Sequence, residues 1–256
     1  MLLTFVTIAF VFAITQAVVS HQASSPTELQ EVSRVFVTGY GPFLNFTNNP
    51  SGEVAKYLQR HKPCVDAYYP GDTYIAVQKV KSCAEPPPER ICIEAEEIEV
   101  SNAGADEASK KALSGKYDAV IHLGLENKAK GFVIEIAAAN EFYDPDLNIS
   151  KSEIVKGGPY LLPTILPLDT YDEAYTGEYS GACEKSENQC KGKSKGKAVW
   201  SRDAGTYYCN RIFYSSVHGV RSKGLTMRHG QGLLPVAFVH MPGAPPDNEV
   251  VINGHE

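Results

Sequence analysis

Hydrophobic positions along this chain gather into short β-branched runs separated by longer mixed stretches. Residues 34–38 read Arg-Val-Phe-Val-Thr, which predicts a buried strand that Gly39 ends. In Gly39-Tyr40-Gly41-Pro42-Phe43 glycines flank the tyrosine and the proline cannot donate to a ladder, so a turn is expected. Asn49-Pro50-Ser51 then prepares a helix through Val54, Tyr57 and Leu58. Residues 75–80 and 91–100 predict further strands, the second half-exposed because acidic residues recur along it. Helix-forming residues fill 103–113 and stop at Ser114-Gly115-Lys116. An apolar run over 118–124 is closed by Gly124, and 132–138 predicts one more strand.

Strands alternating with helices favour an α/β fold with a largely parallel sheet. Right-handed crossovers would lay the helices on the sheet faces. Gly157-Gly158-Pro159 breaks the chain before the apolar stretch 160–168. Residues 175–197 are polar and rich in glycine and lysine, which predicts a surface insertion. No internal repeat is present, and a single domain over 34–256 is expected.

The first residues change the picture. Residues 2–14 are apolar apart from threonines, and no charge precedes Glu28. This is the pattern of a secretory leader, with a cut expected after Ala17 and a flexible segment over 18–33. Asn45-Phe46-Thr47 and Asn148-Ile149-Ser150 are glycosylation sequons, so Asn45 and Asn148 are candidate acceptors. A secreted or lumenal protein is expected, with no membrane attachment once the leader is removed; an uncleaved membrane anchor is the alternative. The net charge of −6 offers no basic footprint for nucleic acid. No cysteine–histidine spacing suggests a metal site and no glycine loop a phosphate site, so no cofactor is expected. Of six cysteines, Cys83 with Cys92 and Cys183 with Cys190 are the natural local bridges. Cys64 and Cys209 are left over.

Cys209 stands in the most informative segment, Ala204-Gly205-Thr206-Tyr207-Tyr208-Cys209-Asn210. Gly205 and Thr206 can open a helix, with Thr206 as candidate N-cap. Cys209 would then sit in the first turn, where free N–H groups and the helix dipole favour a thiolate. A nearby pair of backbone N–H groups would suit an oxyanion. On composition alone, a cysteine among aromatics is more often a buried structural residue.

This segment, with Phe213-Tyr214 after it, resembles the nucleophile segment of the pyroglutamyl-peptidase I family of cysteine peptidases. Val37-Thr38-Gly39-Tyr40-Gly41-Pro42-Phe43 with Asn49-Pro50-Ser51 resembles the family's first strand and turn. His122-Leu123-Gly124-Leu125 and Ile134-Glu135 resemble its acidic segment, and Gly157-Gly158-Pro159 its central stretch. Phe238-Val239-His240-Met241-Pro242 resembles the strand that carries its histidine. The resemblance implies a three-layer α/β/α fold of phosphorylase/hydrolase type around a mixed, largely parallel sheet. It implies a Cys209–His240–Glu135 triad that removes N-terminal pyroglutamate from peptides through a thioester. It also implies pocket walls from Tyr40, Phe43, Tyr207 and Tyr208, with backbone groups from Leu125. His122, on an apolar strand, is expected to be a hydrogen-bonded core residue.

The chain departs from the family at Ile136, where arginine is usual, and after Asn140, where Glu141-Phe142-Tyr143-Asp144 replaces an arginine-containing run. Its end at Glu256 follows His240 closely, where relatives continue into a final helix. These departures keep two alternatives open: a non-catalytic secreted homologue that binds peptide or a protein partner, and a peptidase or amidase for another N-terminal group.

Overall fold

The computed structural model describes residues 32–43, 47–67, 89–127, 129, 131–144, 149–166, 200–228 and 232–243. Outside them lie the expected leader, the strand expected over 75–80, the insertion at 175–197, Asn45, Asn148, Cys83, Cys183 and Cys190.

A seven-stranded sheet forms the centre. Its strands are β1 (Val32–Tyr40), β2 (Cys64–Ala67), β3 (Glu89–Ile98), β4 (Ala119–Glu126), β5 (Val133–Glu135), β10 (Trp200–Ser201) and β11 (Val236–Pro242). They run in the order β10-β5-β11-β4-β1-β3-β2. The inner neighbours β3, β1, β4 and β11 are parallel, while β2 with β3 and β5 with β11 are antiparallel. The sheet is mixed and mostly parallel, as the strand–helix alternation requires.

Helix α1 (Pro50–His61) covers one face, and α2 (Asn102–Ala112) with α3 (Tyr208–Lys223) covers the other. Burial on both faces explains why the central strands read as nearly continuous apolar runs. Val35, Val37, Ile121, Leu123 and Val239 meet Val54 and Leu58 of α1. Phe36, Val120 and Phe238 meet Ala105 and Ala108 of α2 and Ile212, Phe213, Val217 and Val220 of α3. Each large side chain buried on α3 stabilises the fold by roughly 1.5–3 kcal/mol over its exposed state.

The helices start where their caps are. Asn49 accepts from the Ser51 N–H at 3.1 Å with Pro50 in the first turn, and Ser101 accepts from the Gly104 N–H at 3.1 Å. β3 is half-exposed as its acidic residues predict: Glu94 and Glu96 reach Lys111 of α2 at 3.0 and 2.9 Å.

Three expectations need correction. Gly39 does not end its strand but lies inside β1, where an added Cβ would fall 1.9 Å from the Ser51 carbonyl oxygen. It is glycine because the start of α1 passes directly over it. The stretch 132–138 is not one strand. It splits at Ile136, whose N–H goes to Ser201 and whose carbonyl accepts from Thr164, and Ala137–Ala139 leaves the main sheet as β6. There it pairs with β9 (Leu161–Pro163), while β7 (Phe142–Asp144) pairs with β8 (Ile149–Ser152). Finally, Cys92 is bridged to Cys64 rather than to Cys83, because the antiparallel register of β2 and β3 sets Cys64 directly opposite it. This bridge ties the edge strand β2 to the sheet and leaves Cys209 a free thiol.

Beneath the site runs a buried polar chain. His122 on β4 is fully buried, with Nδ1 2.7 Å from Thr38 Oγ1 and Nε2 3.0 Å from Ser216 Oγ. Ser216 donates to Ser109 at 3.2 Å, so Nε2 donates to Ser216 and Nδ1 accepts from Thr38. His122 is thus the hydrogen-bonded core residue expected of it. Burial pushes its pKa down to about 3. An unfolded histidine titrates near 6.5. His122 therefore supports the fold fully above pH 6.5, and that support is lost as the pH falls from 6.5 toward 3, up to roughly 4 kcal/mol. Urea midpoints at about pH 7.5 and 4.5 should show a smaller acid loss in His122→Gln than in the wild type. Equal acid losses would contradict this.

Candidate functional site

The site is assembled where β4 and β11 end side by side. Their parallel register sets His240 opposite Gly124 and Pro242 opposite Glu126. Strand alternation points Gly124, Glu126, Phe238 and His240 toward α3. Phe238 packs there against Phe213, ring centroids 5.8 Å apart, and meets the His240 ring edge-on at 4.9 Å.

Helix α3 brings the nucleophile candidate. Its N-cap is Tyr207, in extended conformation and without a side-chain cap bond, not the expected Thr206. The Thr206 hydroxyl is turned instead to the Tyr143 carbonyl at 3.3 Å, and the Tyr143 N–H returns to the Thr206 carbonyl at 2.9 Å. Cys209 still falls in the first turn, as the sequence indicates. Its sulfur lies 2.7 Å from where a Gly124 side chain would begin.

Several buried bonds hold this turn. The Tyr40 hydroxyl donates to the Tyr208 carbonyl at 2.6 Å. Asn210, fully buried, accepts from the Ala139 N–H at 2.9 Å and donates to the Ala139 and Glu141 carbonyls at 2.8 Å each. Arg211 grips Asp106 of α2 through two bonds of 3.1 and 2.9 Å. The residue after the cysteine thus fastens α3 to the segment that follows Glu135.

Glu135 and His240 are 1% and 5% exposed, and His240 Nδ1 donates to Glu135 Oε1 at 2.8 Å. The second Glu135 oxygen is buried with no hydrogen-bond partner among the described residues. Burial disfavours the charged imidazole, but hydrogen bonding to Cys209 and Glu135 and their negative charge outweigh it, and the His240 pKa is raised to about 10. Burial, and then the neighbouring Cys209, hold the Tyr40 phenol well above its usual range.

Cys209 and His240 open onto a cavity of about 250 Å³. All five expected pocket residues line it: Tyr40, Phe43, Leu125, Tyr207 and Tyr208. Asn49, Val100, Glu126, Asn127, Ala204 and Gly205 complete the lining; Asn49, Ala204 and Gly205 belong to motifs quoted above, and Val100, Glu126 and Asn127 do not. For Glu126 a signal was present, since strand parity puts it on the Gly124 face. Asn210 could have been noticed only as a buried amide beside the cysteine. Among the described residues no group of three or more histidine, cysteine, aspartate or glutamate side chains could hold a metal ion.

No family model matches the chain. A pyrrolidone-carboxylate peptidase of Clavibacter michiganensis subsp. michiganensis is 28% identical over 215 residues, covering 81% of this chain and 78% of that protein. A human pyroglutamyl-peptidase 1-like protein is 29% identical over 126 residues, 48% of this chain and 50% of its own length. Among solved structures, a mutant pyrrolidone carboxyl peptidase from Pyrococcus furiosus superposes with a TM-score of 0.56 at 23% identity, over 82% of this chain and 81% of that one. That likeness shows the α/β fold.

The raised His240 pKa fixes a sign. Because it lies above the unfolded value of about 6.5, the charged imidazole supports the fold fully below pH 6.5, and this support is lost as the pH rises through about 10. Imidazole nitrogen NMR should find His240 still protonated at about pH 8 in the wild type. In Cys209→Ala and Glu135→Gln the titration should move down toward 6.5. A wild-type midpoint near 6.5 would contradict the pairing.

Proposed function

We propose that this chain, 28% identical to a pyrrolidone-carboxylate peptidase, is a cysteine exopeptidase releasing N-terminal pyroglutamate from peptides. One observation carries the reading: His240, hydrogen-bonded to Glu135, and Cys209 open together onto an aromatic-lined cavity. Pyroglutamate is a small neutral lactam, and such a ring suits an enclosure of Tyr40, Phe43, Tyr207 and Tyr208. Backbone groups of Leu125 are candidates to fix its amide.

In this reading the Cys209 thiolate attacks the acyl carbonyl carbon, and a C–S bond forms as the oxygen takes negative charge. The first N–H groups of a helix have no intrahelical partner, so the start of α3 offers donors to that oxygen. Nδ1 of His240 is committed to Glu135, which leaves Nε2 to protonate the departing amine as the C–N bond breaks. A thioester remains on Cys209. Water attacks it, passes a proton to His240, and releases free pyroglutamate with the thiolate restored. Glu135 orients the imidazole and steadies its charged form.

The proposal includes passage through a secretory pathway. The apolar leader, the two sequons and the Cys64–Cys92 bridge support it.

Purified protein is expected to release the fluorophore from a pyroglutamyl-aminocoumarin amide. Cys209→Ala should lower kcat/KM by about 10³-fold or more, and Glu135→Gln by less, about 10- to 100-fold. Silence of the wild type with and without added thiol, or full activity in Cys209→Ala, would contradict the reading.

A further inference from the structure

The Tyr208 carbonyl, in the first turn of α3, accepts a bond from outside its own helix. A carbonyl oxygen has two lone pairs, and the helical ladder uses one of them, through the N–H four residues on. The other accepts from the Tyr40 hydroxyl at 2.6 Å, between residues 168 apart in sequence. That hydroxyl is mounted on a rigid element. Tyr40 ends β1, pairs with Ile98 of β3, and donates its own N–H to Ser51 Oγ at 3.1 Å. Its ring is buried and lines the cavity. Burial, and then the charge of Cys209, hold the phenol well above its usual range, so it keeps its proton and remains a donor at neutral pH.

The carbonyl it holds belongs to the peptide unit that joins Tyr208 to Cys209. Such a unit is planar and trans, with the C=O and the N–H on opposite sides of the C–N bond. Fixing the Tyr208 oxygen therefore fixes the direction of the Cys209 N–H. This N–H is among the first of α3, which have no intrahelical acceptor and point out of the helix start. Residues at and just before that start, Ala204, Gly205, Tyr207, Tyr208 and Cys209, line the cavity. A hydrogen bond to the carbonyl also polarises the amide and makes its N–H a better donor.

We infer that Tyr40 is a positioning residue for the oxyanion: its hydroxyl orients and polarises the Tyr208–Cys209 peptide so that the Cys209 N–H meets the developing negative oxygen. This rests on the peptidase reading above. The chemical step keeps its balance. The thiolate forms the C–S bond, the carbonyl electron pair moves to oxygen, and the N–H donates a hydrogen bond without giving up its proton. Removing an oxyanion donor outright costs about 10²–10³-fold in kcat. Tyr40 acts on such a donor at one remove, so loss of its hydroxyl costs less, about tenfold. The loss falls on kcat rather than KM, because the oxyanion is absent from the ground state.

Tyr40→Phe removes one oxygen, keeps the ring in the pocket wall and leaves the helical bond of the Tyr208 carbonyl in place, so no buried group is orphaned. Three quantities are measured on the full chain. The first is turnover of pyroglutamyl-aminocoumarin amide. The second is the Kd of pyroglutamyl aldehyde, whose adduct with a thiol is tetrahedral and sets an oxygen where the oxyanion forms. The third is the rate of Cys209 alkylation by iodoacetamide, which displaces iodide and forms no oxyanion. In Tyr40→Phe kcat is expected to fall about tenfold with KM within about twofold, and the aldehyde to bind about tenfold more weakly. Alkylation should keep its wild-type rate. Unchanged kcat and aldehyde affinity would overturn the role and leave the peptidase reading standing. Alkylation slowed by the same factor as turnover would also overturn it, since the hydroxyl would then seat the thiolate rather than the oxyanion. A wild type that binds the aldehyde but turns over no substrate would overturn the peptidase reading, while weaker aldehyde binding by Tyr40→Phe would still support the role. Neither turnover nor aldehyde binding in the wild type would overturn both.

Discussion

The first turn of α3 comes down on the end of β4 at Gly124, so close that the Cys209 sulfur would lie 2.7 Å from any Cβ built there. Phe238 closes the same space from β11, with its ring carbon 2.6 Å from that point. A methyl group at position 124 would have to displace the nucleophile, the ring or the strand, and overpacking of this kind costs about 1–3 kcal/mol. The absence of one side chain therefore sets the distance between helix and sheet. It also sets the sulfur beside His240, because His240 is the residue that faces Gly124 across the β4–β11 pair.

That approach is maintained by polar groups that are themselves buried. Tyr40 from β1 holds the Tyr208 carbonyl, Asn210 holds the strand that follows Glu135, and Ser216, two turns further along α3, is tied through His122 to Thr38. Each of these bonds fixes orientation, since its loss would leave a buried donor or acceptor without a partner. Apolar packing of Phe213, Val217 and Val220 fastens α3 to the sheet, while the polar contacts fix its rotation and its height above β4. The Glu135–His240 bond completes the arrangement from the other side, because β5 is antiparallel to β11 and brings the carboxylate to the strand that carries the imidazole.

Much of this was legible from the chain alone. β1, β4 and the first turn of α3 follow from apolar runs and local turn chemistry, and the cysteine, histidine and glutamate follow from the resemblance of segments that occur in the same order. Other features depend on contacts between distant segments. Gly39 looks like a turn residue until α1 is seen passing over it. Ile136 looks like the middle of a strand until Ser201 and Thr164 are found competing for its backbone. Cys92 has a near neighbour in sequence at Cys83, but the β2–β3 register delivers Cys64 instead. Thr206 has the side chain of an N-cap, yet its hydroxyl goes to Tyr143, and the N-cap is Tyr207, which makes no side-chain cap bond. In each case a nonlocal pairing overrides a local preference.

If Cys209 is the nucleophile, a covalent acyl group has to pass through its sulfur. Rapid acid quenching of the protein mixed with a pyroglutamyl-aminocoumarin amide, followed by mass spectrometry of its peptides, looks for that group directly. The expected result is a transient pyroglutamyl thioester on the peptide containing Cys209, formed with the first release of fluorophore and absent from Cys209→Ala. Turnover of the substrate with the adduct on another residue, or with an adduct-free chain throughout the burst, would contradict the geometry proposed for the site.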